Sequence, residues 1–315
     1  MQHLLSEKHL APQKLALATA LPALFYTDTD TPQLDARAVF ARSWQWVCHE
    51  SQIADAGDYI VTTIAGLPLI ILRSVDGSIK AFHNVCRHRA GPIATCNAKQ
   101  AKVLPEFLEV IKGIDERLGQ QTLQNYVFHR RVGYDINCNW KVYVDNYLEG
   151  YHVPHIHPGL NSLLDYRTYI TETAEWYSYQ FSPLESADDL YGSGDALYYF
   201  IYPNTMLNIL PGRLQTNRVI PLDVNKCRVE FDYYYAADDS EKASQRRERD
   251  LAFSDEVQKE DVDICESVQI GLSSGSYTAG RLNPLRENAV HHFHELLRSA
   301  YSFSKQDSGQ DRKQE

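Results

Sequence analysis

At 315 residues the chain is long enough to bury a sizeable core, as one large domain or two ordinary ones. Its formal charge of −10 excludes a basic face for nucleic acid, and no apolar run is long enough to cross a membrane as a helix. Six cysteines, scattered at 48, 86, 96, 138, 227 and 265 behind an N-terminal segment without a cleavage signature, do not read as a secreted disulfide framework, so a reducing, cytoplasmic setting is expected.

In chain order, residues 35–51 carry apolar residues at helical spacing and predict a short helix followed by the start of a strand. From Asp58 to Asn84, β-branched runs broken by Ala-Gly-Leu-Pro and Asp-Gly predict consecutive hairpins, hence a small antiparallel β domain. Residues 105–120 read as helical and VFHRRVGYDI as a strand. NWKVYVDNYLEGYH then has helical periodicity, which Pro154 is expected to stop. Long strands are predicted across 193–235, a polar-rich helix over 240–272 and a final helix over ENAVHHFHELLRSAY. The last stretch, from residue 304, has no apolar content and reads as a disordered tail. The class is α+β, a small β domain ahead of a larger sheet-plus-helix domain. Cys227 and Cys265 read as small buried apolar residues, and the HHFH cluster at 291–294 as a helix surface.

The chemistry concentrates in Asn139–Pro158. His152 and His157 stand five apart, and on a continuous helix their rings would point about 140° apart. Pro154 is expected to end the helix and hold Val153 extended, so that the second ring folds back toward the first. A third ligand is expected from the helix 240–272. There Asp261 falls on the same stripe as Val257, Ile264, Cys265 and Val268, and a carboxylate on a buried face needs a partner or a metal. Glu260 and Asp263 fall off the stripe and are expected in solvent, and His155 is expected either to face solvent or to stand behind the ligands. Two His and one Asp form the facial triad that leaves positions open on a non-heme iron. HExxH spacing is absent, which disfavours a zinc hydrolase built on the same residues.

At Cys86–Pro92 the chain reads CRHRAGP, and Cys-x-His directly after hairpins is similar to the first ligand loop of a Rieske 2Fe-2S centre. Together with NWKVYVDNYLEGYHVPHIHP, YPNTMLNILPG and EDVDICESVQIGL in this order, it resembles the Rieske oxygenase family, α subunit, nearest the branch of choline and glycine betaine monooxygenases. The resemblance implies a truncated Rieske-like antiparallel β domain over 41–104, after an N-terminal arm over 1–40. A helix-grip (START-like) catalytic domain over 105–303 would follow. It implies Cys86 and His88 as cluster ligands, His152, His157 and Asp261 on a mononuclear Fe(II), and Glu149 as the carboxylate bridging a neighbouring subunit's cluster to this iron. The implied partners are dioxygen, a quaternary ammonium or aromatic small molecule, and a reductase or ferredoxin drawing on NAD(P)H, in a homotrimer.

One departure stands out. The family's second loop, Cys-x-x-His-Gly-Trp, is absent, since no cysteine here is followed by His three residues on. KQAKVL runs straight into PEFLEVIKG, as if several dozen residues were missing between Leu104 and Pro105. One Cys and one His cannot hold a standard cluster, so the competing expectation is a cluster-less protein that binds iron or a small ligand without redox turnover. An aromatic cage for a cationic substrate is sought in the tyrosines at 177–179 and 198–202.

Overall fold

The computed structural model describes the chain apart from residues 1–2, 57, 84–106, 119–122, 151, 162–163, 165–167, 185–189, 192–193 and 311–315. Three strands, β1 (Tyr59–Ile64), β2 (Leu67–Arg73) and β3 (Ile79–His83), form one antiparallel sheet in sequence order. The β1–β2 hairpin is closed by Ala65 and Gly66, both at positive φ (51° and 80°), the two-residue turn whose twist matches that of the flanking strands. Gly77, at φ 78°, serves the Asp76-Gly77 turn before β3.

The larger sheet has seven antiparallel strands: β4 (Tyr126–Ile136), β5 (Ile170–Thr173), β6 (Tyr177–Leu184), β7 (Gly194–Ile201), β8 (Thr205–Leu210), β9 (Arg213–Asp223) and β10 (Lys226–Ala236). Their order is β4-β10-β9-β8-β7-β6-β5, so β5 through β10 form a meander and β4 closes onto its last strand. The sheet is accompanied by a 33-residue helix, Glu241–Ser273, about 50 Å long, and by a C-terminal helix, Asn288–Gln310. Ser240 caps the long helix by accepting from Ala243 N, which satisfies one of its free amides. Among the described residues no helix is long and apolar enough to cross a membrane.

Several expectations need correcting. After the helix Thr31–Ala38 no strand begins before residue 51; only single turns form at Phe40–Arg42 and Glu50–Ile53. The helical region near 105–120 is two short pieces, Phe107–Val110 and Ile114–Leu118, with Gly113 at φ 89° between them. The C-terminal helix continues past residue 304 to Gln310, because a helix already nucleated on a packed apolar face extends through residues that lack one.

The N-terminal arm packs into the core of the larger domain. Leu4, Leu10, Leu21, Phe25 and Phe40 are buried in one core with Trp140, Phe293 and Tyr301, and Phe25 stacks on Tyr301 with ring centres 5.3 Å apart. Each such side chain contributes about 1.5–3 kcal/mol when fully buried. The arm therefore covers the face of the C-terminal helix that the sequence presents as surface. His294 is fully buried; its Nδ1 accepts from Leu21 N (3.2 Å), and its Nε2 lies 2.9 Å from Asp145 Oδ1 and 3.1 Å from the Tyr26 hydroxyl. His291 Nε2 reaches Gln13 O at 2.8 Å. Cys227 and Cys265 are buried as expected, with Cys138 Sγ 3.9 Å from Cys227 Sγ.

Candidate metal centre

The site begins with a short helix, Trp140–Tyr147, capped by Asn139, whose side chain accepts from Lys141 N at 3.0 Å. That helix ends well before Pro154. The proline instead sits in the first turn of a new one-turn helix, Val153–Ile156, where its missing N–H leaves nothing unsatisfied, so Val153 is helical rather than extended. His152 precedes this turn in an αR conformation, and His157 follows it with φ −116° and ψ 79°, which breaks the helix. One turn of chain between the two rings replaces the predicted kink and has the same effect. His152 Nε2 and His157 Nε2 lie 3.2 Å apart.

Asp261 arrives from the long helix, with Oδ1 3.1 Å from His157 Nε2 and 3.9 Å from His152 Nε2. Asn146 Nδ2 donates to the same oxygen at 2.7 Å and fixes its direction. Behind each imidazole stands a carboxylate. Glu149 Oε1 is 2.6 Å from His152 Nδ1 and its other oxygen accepts from His152 N at 3.1 Å; Glu260 Oε2 is 2.7 Å from His157 Nδ1. Glu260 is thus part of the site and not a solvent residue, because it approaches His157 from the flank of the stripe. Asp263 is exposed, as the sequence predicts, and His155 faces solvent. Val268 is 45% exposed, and the buried row of the helix runs instead through Gln258, Cys265 and Gln269. Hydropathy misses two of those three residues because they are amides.

The donor chemistry points to a cation. An ionised carboxylate only accepts, so Glu149 and Glu260 place a proton on each Nδ1 and leave each neutral Nε2 as a lone pair. Two such lone pairs and the Asp261 carboxylate then face one another across 3.1–3.9 Å, an arrangement that a positive charge among them, a proton or a metal ion, would satisfy. In His157 burial pushes the pKa down, but the hydrogen bonds and charges of Asp261 and Glu260 outweigh it and hold it above the ordinary value. For metal–donor bonds of about 2.0–2.2 Å, donors at right angles stand about 3 Å apart. Two of the three edges match, and the donor set is that of a 2-His-1-carboxylate iron centre. Glu260→Gln is expected to weaken iron binding roughly 10–100-fold by loosening the His157 tautomer. Iron titration against a competing chelator measures this; unchanged affinity would show that Glu260 is only a neighbour.

A cavity of about 970 Å³, including the part open to solvent, lies over the triad between the sheet and the long helix. Its walls include Tyr143, Tyr147, Tyr169, Tyr198, Phe231 and Phe253. Of the tyrosine segments singled out in the sequence, Tyr198 reaches it. Tyr177 and Tyr179 pack elsewhere with Ile114 and Tyr199. Strand alternation decides this: Tyr198 pairs with Gln180, which also lines the cavity, whereas Tyr199 pairs with Tyr179 on the opposite face. Burial pushes the Tyr198 phenol up to about 12, so it stays neutral. Sequence reasoning missed Gln258 and Arg213 among the lining residues; a buried amide and a buried guanidinium give no periodic signal. Cys86 and His88 lie outside the described residues.

The sequence pattern of the ring hydroxylating alpha subunit (catalytic domain) matches residues 123–302, and that of the Rieske [2Fe-2S] domain matches 43–104. The chloroplastic choline monooxygenase of Arabidopsis thaliana is 33% identical over 90% of this chain and 83% of its own length. The carnitine monooxygenase oxygenase subunit of Escherichia coli (strain K12) is 27% identical over 90% of this chain and 94% of its own. A solved quaternary ammonium Rieske monooxygenase superposes with TM-score 0.81 at 22% identity, over 94% of this chain and 98% of that one. Naphthalene 1,2-dioxygenase with bound indole superposes with TM-score 0.67 at 16% identity, over 92% and 94%. The Arabidopsis alignment runs over 354 positions yet takes in 90% of 315 residues, about 284, so about 70 of its positions hold no residue of this chain.

Proposed function

The chain belongs to the Rieske oxygenase family as a ring-hydroxylating α subunit, and on that premise we propose that His152, His157 and Asp261 hold its mononuclear iron, for oxygen insertion into a trimethylammonium-bearing substrate. The observation that carries the assignment is the convergence of three acceptor atoms, both imidazoles being backed by carboxylates. Iron bound there would supply dioxygen activation. The protein's own share is positional. Glu149 and Glu260 keep the ring protons on Nδ1, Asn146 aims Asp261, and the aromatic walls receive a cation while excluding water. The choline and carnitine monooxygenases among the relatives favour a quaternary ammonium over an aromatic ring as substrate.

Electron supply is the weak link. In our reading Cys86 and His88 would provide one ligand to each iron of a cluster that needs two on each. The domain over 41–104 is then a partial Rieske domain ahead of the catalytic domain over 105–303. The missing positions in the alignment and the absence of a Cys-x-x-His loop both support this. Glu149, 12% exposed and bonded to His152, is the residue through which a neighbouring subunit's cluster would reach this iron in a trimer. An intact iron site thus stands beside a broken electron route, and reductase-driven turnover is not expected. Anaerobic purification with iron and acid-labile sulfide analysis, followed by electron paramagnetic resonance after dithionite, tests this. One iron per chain with no sulfide and no Rieske signal is expected; three irons with two sulfides would overturn it.

A further inference from the structure

A second cavity, of about 1370 Å³ including the part open to solvent, shares Asn146, Glu149 and His152 with the cavity over the triad. Its wall also includes Cys265, which follows Asp261 by one turn on the long helix. Cys265 is one of three cysteines that meet in the core, each brought by a different stretch of chain. Cys138 lies between β4 and the helix Trp140–Tyr147, and Cys227 lies near the start of β10, paired with Ile136 of β4. Cys138 stands in the middle: its Sγ is 3.9 Å from Cys227 Sγ, and the Cys265 thiol is its other hydrogen-bonding neighbour. Those two hydrogen bonds hold the Cys138 pKa below the ordinary thiol value in spite of burial, which favours the nucleophilic thiolate.

Packing alone would be served by alanine or valine at these positions. Thiols in contact add the capacity to give up two electrons as a pair. A metal is not the natural fit. Among the described residues, the groups with three donor atoms all within 4.8 Å of one another are the triad and His3, Asp28 and Asp30. A disulfide needs only two neighbouring sulfurs, brought to about 2.05 Å. Cys138 and Cys227 are fully buried and Cys265 is 1% exposed, so only an oxidant little larger than water can arrive, through the cavity that Cys265 lines. Hydrogen peroxide has that size.

We propose that Cys265 is the entry point of an oxidisable thiol cluster, where hydrogen peroxide is reduced and Cys138 is joined to Cys265 in a disulfide. The Cys265 sulfur attacks one peroxide oxygen. The O–O bond breaks, an S–O bond forms, and the other oxygen leaves with the thiol proton as water. The Cys138 sulfur then attacks the sulfenic sulfur of Cys265. An S–S bond forms, the S–O bond breaks, and the departing hydroxide takes the remaining thiol proton as a second water. Two thiols lose two electrons and one peroxide gains them. Because Cys265 and His152 face the same cavity, peroxide present there is consumed beside the triad.

The test exposes the folded, iron-free full chain to hydrogen peroxide, so that no metal-generated radicals intervene. Remaining thiols are then blocked with N-ethylmaleimide in urea, and the unreduced peptides are mapped by mass spectrometry. A Cys138–Cys265 cross-link is expected in most chains and is expected to disappear with dithiothreitol. In Cys138→Ala the cross-link is expected to be lost and dimedone to trap a sulfenic acid on Cys265. If that variant fails to fold, the map of the unaltered protein decides by itself. Alkylation of Cys138 and Cys265 in full after peroxide, or oxidation confined to Cys48, Cys86 and Cys96, overturns the proposal. A Cys138–Cys227 cross-link that forms equally well in Cys265→Ala overturns Cys265 as the entry point. Glutathione disulfide, too large for the cavity route, is expected to leave all three thiols reduced in the folded chain, and their oxidation by it would overturn that route.

Discussion

Asp261→Ala is expected to reduce iron from one per chain to less than a tenth while the fold persists. Asp261 supplies the only carboxylate within 4 Å of both imidazole Nε2 atoms among the described residues, and without it two neutral rings must hold the metal alone. The loss should exceed the roughly 10–100-fold that follows removal of an outer hydrogen-bonding partner. The fold should not suffer. The side chain is 17% exposed, and its removal relieves the crowding of acceptors in the metal-free protein. A thermal melt provides an independent readout. Saturating Fe(II) should raise the stability of the unaltered chain, by about 2.7 kcal/mol at a hundredfold excess over the dissociation constant, and leave the variant unmoved. Full iron occupancy in Asp261→Ala would mean that another carboxylate, Glu260 being nearest in sequence, is the true ligand.

The second large effect lies in the core. Asp35, 1% exposed, accepts from Lys141 Nζ, from Trp140 Nε1 and from the Tyr301 hydroxyl, each at 2.6 Å, and Lys141 is itself fully buried. Burial pushes the Lys141 pKa down, offset in part by the charge and hydrogen bond of Asp35 and less by the charge of Asp145, so Asp35 is this ammonium's main counter-charge. Asp35→Ala strands a buried cation together with two further donors. The expected loss is about 3–5 kcal/mol, a large part of a typical stability of about 5–15 kcal/mol. Urea unfolding measures it. Asp35→Leu combined with Lys141→Met should recover much of the loss, because a well-packed apolar pair carries no desolvation penalty. A single variant as stable as the unaltered chain would show that the pair is not under the strain described.

What the sequence made legible was local. The hairpins of β1–β3 follow from Ala65-Gly66 and Asp76-Gly77, and the placement of Asp261 from a four-residue spacing to Val257 and to Cys265. The two imidazoles do meet, but by another route than the sequence suggests, since Pro154 opens a turn rather than closing one. What stayed hidden depends on surroundings that periodicity does not encode. His294 reads as surface until the arm covers it, and Glu260 as solvent until His157 approaches. Gln258 and Gln269 read as polar positions although both are buried. The N-terminal arm has only short turns, so its shared core with the C-terminal helix gives no helical or strand pattern of its own.

That arm changes what an internal loss means for the rest of the molecule. The chain starts on the catalytic body, leaves it near residue 40 to build the small sheet, and is back on it by Ile114, ahead of β4. Topologically the small sheet is an excursion, fastened at both ends to a body that is already closed, with Arg218 bonded to Trp46 O and Thr62 Oγ1 as one of the ties. Shortening an excursion changes its closure entropy only slowly with length. A chain routed this way would tolerate changes of length in the small-sheet excursion while the body that gathers His152, His157 and Asp261 keeps its own core.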